Sequence, residues 1–107
     1  MPIIEINESN FGELERADKA ALVEFYAPWC ASCRALSPTL ERFAEHHPDL
    51  AVCKINTDTS PTLAGRFKIM SIPTLIYMRG GEVVSRSVGG VGLRALEELV
   101  GLGSPAK

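Results

Sequence analysis

Apolar positions change their period several times along this chain, and each change marks an expected element. Residues 3–6 are short and β-rich, a first strand. Asn10 can cap a helix in which Phe11, Leu14 and Ala17 recur every three residues among charged neighbours. Residues 21–26, Ala-Leu-Val-Glu-Phe-Tyr, form a near-continuous apolar run, the pattern of a strand covered on both faces by helices. Glu24 is the anomaly within it.

After Ala27-Pro28-Trp29-Cys30 the period lengthens. Leu36, Leu40, Phe43 and Ala44 fall on one helical stripe, Arg34, Glu41, Arg42 and Glu45 fall largely elsewhere, and Pro48 marks the end. Pro38 lacks a backbone donor and crowds the preceding turn, which predicts one bent helix and not two. Residues 50–55 then alternate as a strand and 61–67 make a short helix. Residues 74–78 and 83–88 flank Arg79-Gly80-Gly81 as a hairpin, and Leu93, Leu96, Leu99 and Val100 mark a last amphipathic helix. The order βαβαβαββα, with long early crossovers and a tight late turn, predicts an α/β fold whose central mixed β-sheet is flanked by helices on both faces.

Length narrows this to one domain over residues 1–107. The composition, 46% hydrophobic and 22% charged, excludes a disordered or low-complexity chain. Eleven scattered basic residues within a net charge of −2 leave no footprint for nucleic acid or anionic lipid. Apolar runs fall far short of the roughly 20 residues that cross a bilayer, so no membrane partner is expected. The start, Met-Pro-Ile-Ile-Glu, lacks an export pattern, and a cytoplasmic location is the expectation.

Three cysteines are too few for a disulfide-stapled scaffold, but Cys30 and Cys33 form a C-x-x-C pair. Cys30 stands where a strand gives way to a helix, so its sulfur would meet unpaired N–H groups and the positive end of the helix dipole, which favour thiolate. Cys33, within one turn, can reach that sulfur and expel a bound substrate, making the pair a two-electron switch. A zinc reading would recruit His46 and His47. Adjacent histidines point in different directions, so no metal is expected and both read as surface residues. Cys53, in a strand among small and apolar neighbours, reads as core packing, with a regulatory thiol as the alternative. Trp29 reads as partly exposed over the dithiol, and Phe25 and Tyr26 as structural.

The stretch Val23-Glu24-Phe25-Tyr26-Ala27-Pro28-Trp29-Cys30-Ala31-Ser32-Cys33 and the segment Ser71-Ile72-Pro73-Thr74 strongly resemble the thioredoxin family. Trp29 before the first cysteine, Pro38 in the helix, Lys54 in a strand and the pair Gly89-Gly90 fall in the family's order, so the match covers essentially the whole chain. The resemblance implies the thioredoxin fold, a cis bond at Ile72-Pro73, and Cys30 as an exposed nucleophile. It implies a shallow groove, formed by the backbone beside Pro73 with Ile72, Trp29, Gly89 and Gly90, that pairs with an extended substrate segment. Glu24 would act with Lys54 as proton acceptor for Cys33 during release, the alternative being a structural Glu24–Lys54 ion pair.

By the same resemblance the chain is a thiol–disulfide oxidoreductase that reduces protein disulfides through a redox-active Cys30–Cys33 disulfide. It would work without a bound cofactor, as a monomer, with electrons from an NADPH-dependent thioredoxin reductase. Two departures stand out. Ala31-Ser32 replaces the Gly-Pro usual between the cysteines, and the lead from Glu24 to Cys30 looks as much like a protein disulfide isomerase domain. The freed backbone N–H and the Ser32 hydroxyl add donors for a Cys30 thiolate, which predicts a less reducing couple. A disulfide oxidase or isomerase is therefore the nearest rival, and a non-catalytic binding module on the same fold is the other.

Overall fold

A computed structural model describes residues 3–101. The elements in chain order are β1 (Ile4–Ile6), α1 (Phe11–Arg16), β2 (Ala20–Tyr26), α2 (Ala31–His46), β3 (Ala51–Asn56), α3 (Pro61–Arg66), β4 (Thr74–Arg79), β5 (Glu82–Val88) and α4 (Leu93–Leu99). The sheet runs β1-β3-β2-β4-β5. β3 pairs in parallel with both β1 and β2, and β4 and β5 add antiparallel on the other side. This is the mixed sheet the element order requires, because a helical crossover returns a strand in parallel and a two-residue turn does not.

Alternation along β2 sorts the core into two layers, since successive side chains leave opposite faces of a sheet. Val23 and Phe25 join Phe11, Leu63 and Phe67 of the α1 and α3 side, whereas Leu22 joins Leu36, Leu40, Phe43 and Leu96 of the α2 and α4 side. Glu24 shares the face of Leu22 and so lies under α2.

Local departures have local causes. Asn10 stands at the N-cap of α1 but makes no capping bond. Its side-chain oxygen instead accepts from the Asn7 N–H at 2.7 Å, closing a turn. The hairpin turn is two residues, Gly80 at φ 59° and Gly81 at φ 89°. Such a turn needs positive φ at both positions, so Arg79 stays in β4, paired with Glu82. α2 carries Pro38 inside a single helix.

Candidate active site at the head of the second helix

The chain leaves β2 at Tyr26 and turns through Ala27-Pro28-Trp29, where the Cys30 N–H donates to the Ala27 carbonyl at 3.1 Å. Cys30 is then the N-cap of α2, with extended backbone (φ −85°, ψ 113°). Its sulfur does what a capping oxygen does elsewhere, accepting the Cys33 N–H at 3.2 Å. The Ser32 hydroxyl lies 3.4 Å from the same sulfur. Burial alone pushes the Cys30 thiol up, but hydrogen bonds from Cys33 and Ser32 outweigh it and hold the thiol below its ordinary value. Cys33, one turn inward, moves oppositely: burial and its bond to Cys30 push it up to about 12. Two thiols three residues apart therefore differ in readiness to ionise, as a nucleophile and a reserve thiol must.

The resemblance implies an exposed Cys30, and here the structure differs. Only 6% of Cys30 is open, because the N-cap position turns its sulfur toward the helix and Ile72 packs against it. The Cys30 thiol reaches the Ile72 carbonyl at 3.9 Å, next to the cis Ile72–Pro73 bond. The Pro73 carbonyl in turn accepts the Gly89 N–H at 2.8 Å. Gly89 has φ 97°, a conformation in which a side chain is strained, and Gly90 has no atom within 4 Å of where a Cβ would stand. A groove of about 310 Å³ lined by Ser32, Ala35, Leu36, Gly90, Val91 and Gly92 runs beside the dithiol. Of the expected groove residues, Ile72 packs against the dithiol and Gly90 lines this groove with Ser32, while Pro73 and Gly89 meet through their backbone bond.

Trp29 is 68% exposed, and its indole N–H donates to Asp58 Oδ2 at 2.9 Å. Asp58 follows β3 and carries no sequence signal of its own. Arg34, which falls off the apolar stripe of α2, reaches back to the Pro28 carbonyl at 2.8 Å and ties down the turn. Met70, two residues before Ile72, is 92% exposed.

Glu24 is wholly buried, and its two carboxylate oxygens have no hydrogen-bond partner among the described residues. Burial raises its pKa to about 7, with Lys54 pulling down and Glu5 pushing up. Among the described residues no salt bridge joins Glu24 to Lys54. The structural ion pair, the alternative reading of Glu24, is therefore not formed. A cleft of about 250 Å³ brings Cys33 and Lys54 to one wall system with Tyr26, Pro28, Arg34 and Ser37.

His47, read as a surface residue, is half-buried: its ring packs at a tilt on Phe43 with centroids 4.6 Å apart and meets Glu97 Oε2 at 3.2 Å. Among the described residues no cluster of three His, Cys, Asp or Glu can hold a metal ion. Cys53 is fully buried in the α1 and α3 core and its thiol is pushed up to about 11. Alkylation of the native protein with iodoacetamide near neutral pH is expected to modify Cys30 and spare Cys53, read by peptide mass. Labelling of Cys53 at a comparable rate would contradict the core assignment.

The family model described as Thioredoxin matches residues 2–101. The chain belongs to the thioredoxin family. A thioredoxin of Alicyclobacillus acidocaldarius is 45% identical over 85 residues, 78% of this chain and 81% of that protein. A thioredoxin of Bacillus subtilis is 39% identical over 101 residues, 94% of this chain and 96% of that protein. A bifunctional thioredoxin reductase/thioredoxin of Mycobacterium leprae is 40% identical over 95 residues, 87% of this chain and 21% of that protein. This thioredoxin-family chain is a thiol–disulfide oxidoreductase acting on protein disulfides, with Cys30 and Cys33 as its dithiol pair. These relatives do not favour the isomerase or binding-module readings. No helix among the described residues is long and apolar enough to cross a membrane.

Proposed function

We propose that Cys30 attacks and Cys33 resolves. The carrying observation is the asymmetry around the two sulfurs: the Cys30 sulfur accepts the Cys33 N–H at 3.2 Å and lies 3.4 Å from the Ser32 hydroxyl, while Cys33 is held deeper as a thiol. The Cys30 thiolate forms a bond to one sulfur of the substrate disulfide and expels the other as thiolate. Cys33 then gives up its proton and attacks the Cys30 sulfur, releasing the second substrate thiolate and leaving a Cys30–Cys33 disulfide. Two electrons have moved to the substrate.

Glu24, with Lys54 beside the cleft, takes the Cys33 proton. Its pKa of about 7 suits transfer near neutral pH, because an acceptor works best when its pKa lies near the working pH. Glu24→Gln is expected to slow release from the mixed disulfide by about 10²-fold at pH 7 while leaving the first attack nearly unchanged. Stopped-flow tryptophan fluorescence with a disulfide substrate separates the two phases, and unchanged release removes Glu24 from the mechanism.

Trp29, Ile72, Pro73, Gly89 and Gly90 form the substrate groove in this reading. Glycine positions without side chains let an extended substrate backbone approach the Pro73 segment. No bound cofactor takes part. A thioredoxin reductase supplies the electrons, a reading supported by the Mycobacterium leprae relative, whose name joins the two activities in one chain. This reading takes the protein as a monomer of one domain, because the Cys30–Cys33 disulfide closes within one helical turn of the same chain. It works in the reducing cytoplasm, where such a dithiol carries electrons in cell redox homeostasis.

Ala31 and Ser32 tune the couple. The Ser32 hydroxyl beside the sulfur stabilises the thiolate and hence the reduced form. The Ala31→Gly, Ser32→Pro double variant is therefore expected to be more reducing than the natural protein. About 30 mV corresponds to roughly 1.4 kcal/mol for this two-electron couple, so loss of one such bond is readable against a glutathione series. A more oxidising double variant would refute the tuning. The same titration tests the function: a potential near −270 mV, about that of the reductant thioredoxin, supports reduction, and one near −180 mV, about that of an isomerase, overturns it.

A further inference from the structure

Lys54 stands in the middle of a row of three charges. In the parallel pairing of β1, β3 and β2 its register partners are Glu5 on one side and Glu24 on the other. Partner residues on neighbouring strands project from the same face of a sheet, so two carboxylates flank one ammonium. The register favours neither.

Tyr26 breaks the tie. Two residues beyond Glu24 and on the same face, it donates its hydroxyl to Glu5 Oε2 at 2.8 Å. The Lys54 ammonium lies 4.3 Å from the centroid of the Tyr26 ring, within the range where a ring face attracts a cation. Glu5 is exposed and Glu24 is wholly buried, so a move by Lys54 toward Glu24 costs desolvation that its place on the ring does not. Other groups do not substitute for it. Around Glu24 stand Lys54 of β3, Glu5 of β1, Tyr26 of its own strand and Cys33 of α2, while Arg34 lines the cleft with Cys33 and Lys54 and β4 sets the apolar Leu75 at the paired position. Arg34 is engaged with the Pro28 carbonyl.

We propose that Glu5 is a positioning residue: by fixing the Tyr26 ring it parks the Lys54 ammonium there and keeps it from closing an ion pair with Glu24. The inference rests on the reading of Glu24 as proton acceptor and supplies its control. A carboxylate closely paired with an ammonium stays ionised well into acid, whereas one denied that pair keeps its proton toward neutral pH. The directions at Glu24 agree, with burial foremost, Lys54 opposing it without cancelling it, and Glu5 adding to the rise.

Titration of the Glu24 side-chain carboxyl, followed by carbon-13 NMR in the full-length reduced protein, tests this. The deciding variant is Tyr26→Phe, which removes no charge and keeps the ring but loses the anchor. Its Glu24 midpoint is expected to fall by about one pH unit as Lys54 closes on the carboxylate. Glu5→Ala is expected to lower the midpoint at least as far, and Glu5→Gln, which keeps an acceptor for the tyrosine hydroxyl, to lower it less. An unmoved midpoint in Tyr26→Phe overturns the proposal, as do equal falls in the two Glu5 variants, since then only the charge of Glu5 acts. The underlying reading fails separately: unchanged release in Glu24→Gln removes Glu24 from catalysis, even where the NMR titration shows the lysine parked.

Discussion

Replacing Cys30 by Ser is expected to abolish disulfide reduction, by at least about 10³-fold in turnover, whereas Cys33→Ser is expected to stop the protein after one attack. The two losses look alike in a steady-state assay but differ in what accumulates. Without Cys30 the thiols that remain, Cys33 and Cys53, are both buried, and burial, the largest cause at each, keeps them raised and so little ionised near neutral pH. Without Cys33 the Cys30 thiolate still forms its bond to the substrate, but no second thiol lies within one helical turn to break it. Cys33→Ser should therefore trap a covalent protein–substrate adduct, visible by mass spectrometry and cleared by added dithiothreitol. The Cys33 N–H that caps the Cys30 sulfur belongs to the backbone and survives the substitution, which is why attack persists. An adduct through Cys33 in the Cys30→Ser variant would reverse the assignment of roles.

The second large effect is on stability. Glu24 has an ordinary value near 4.5 and is raised to about 7 in the folded protein. The folded state thus binds this proton more tightly than the unfolded state does. The stability it contributes is fully present below about pH 4.5 and is lost as pH rises through 7. A rise of this size corresponds to about 3 kcal/mol, a large share of the roughly 5–15 kcal/mol that holds a small domain together. Glu24→Gln cannot lose a proton, so its urea-unfolding free energy should vary less between pH 5 and pH 8, and at pH 8 it should exceed that of the natural protein. The slope is the cleaner readout, because an unpaired buried amide carries its own pH-independent cost. Cys33 and Cys53 act in the same sense only above about pH 9, outside this window. Parallel stability curves for the two proteins would show that folding does not raise the pKa of Glu24. The result also separates roles: a stabilised variant that releases substrate slowly marks a group kept at a cost to the fold for its chemistry.

What the sequence determined by itself was whatever lies within a few residues. Apolar patterning located the elements to within a residue or two, as a continuous run in β2, which is buried on both faces, and as a helical stripe in α2, which buries one. The turn Arg79-Gly80-Gly81 announced the hairpin, one residue longer than the Gly80-Gly81 turn that forms, and Cys30-x-x-Cys33 at a strand-to-helix junction announced the chemistry, because the helix start supplies the N–H groups that the first sulfur meets. Even locally there was a limit. Asn10 had two acceptor-seeking neighbourhoods to choose from and bonded the Asn7 turn. The tertiary structure alone decided what joins distant stretches. It paired the Trp29 indole with Asp58, a residue with no pattern around it. It brought Ile72 and Pro73 against a cysteine some forty residues earlier in the chain, and in doing so covered the Cys30 sulfur that the family resemblance led one to expect in the open. It also buried Glu24 without a partner and held Lys54 on the Tyr26 ring. Hydrophobic periodicity reports which face is buried but carries no information on which neighbour a buried polar atom meets. That depends on strand order, register and rotamer, which exist only once the sheet has closed.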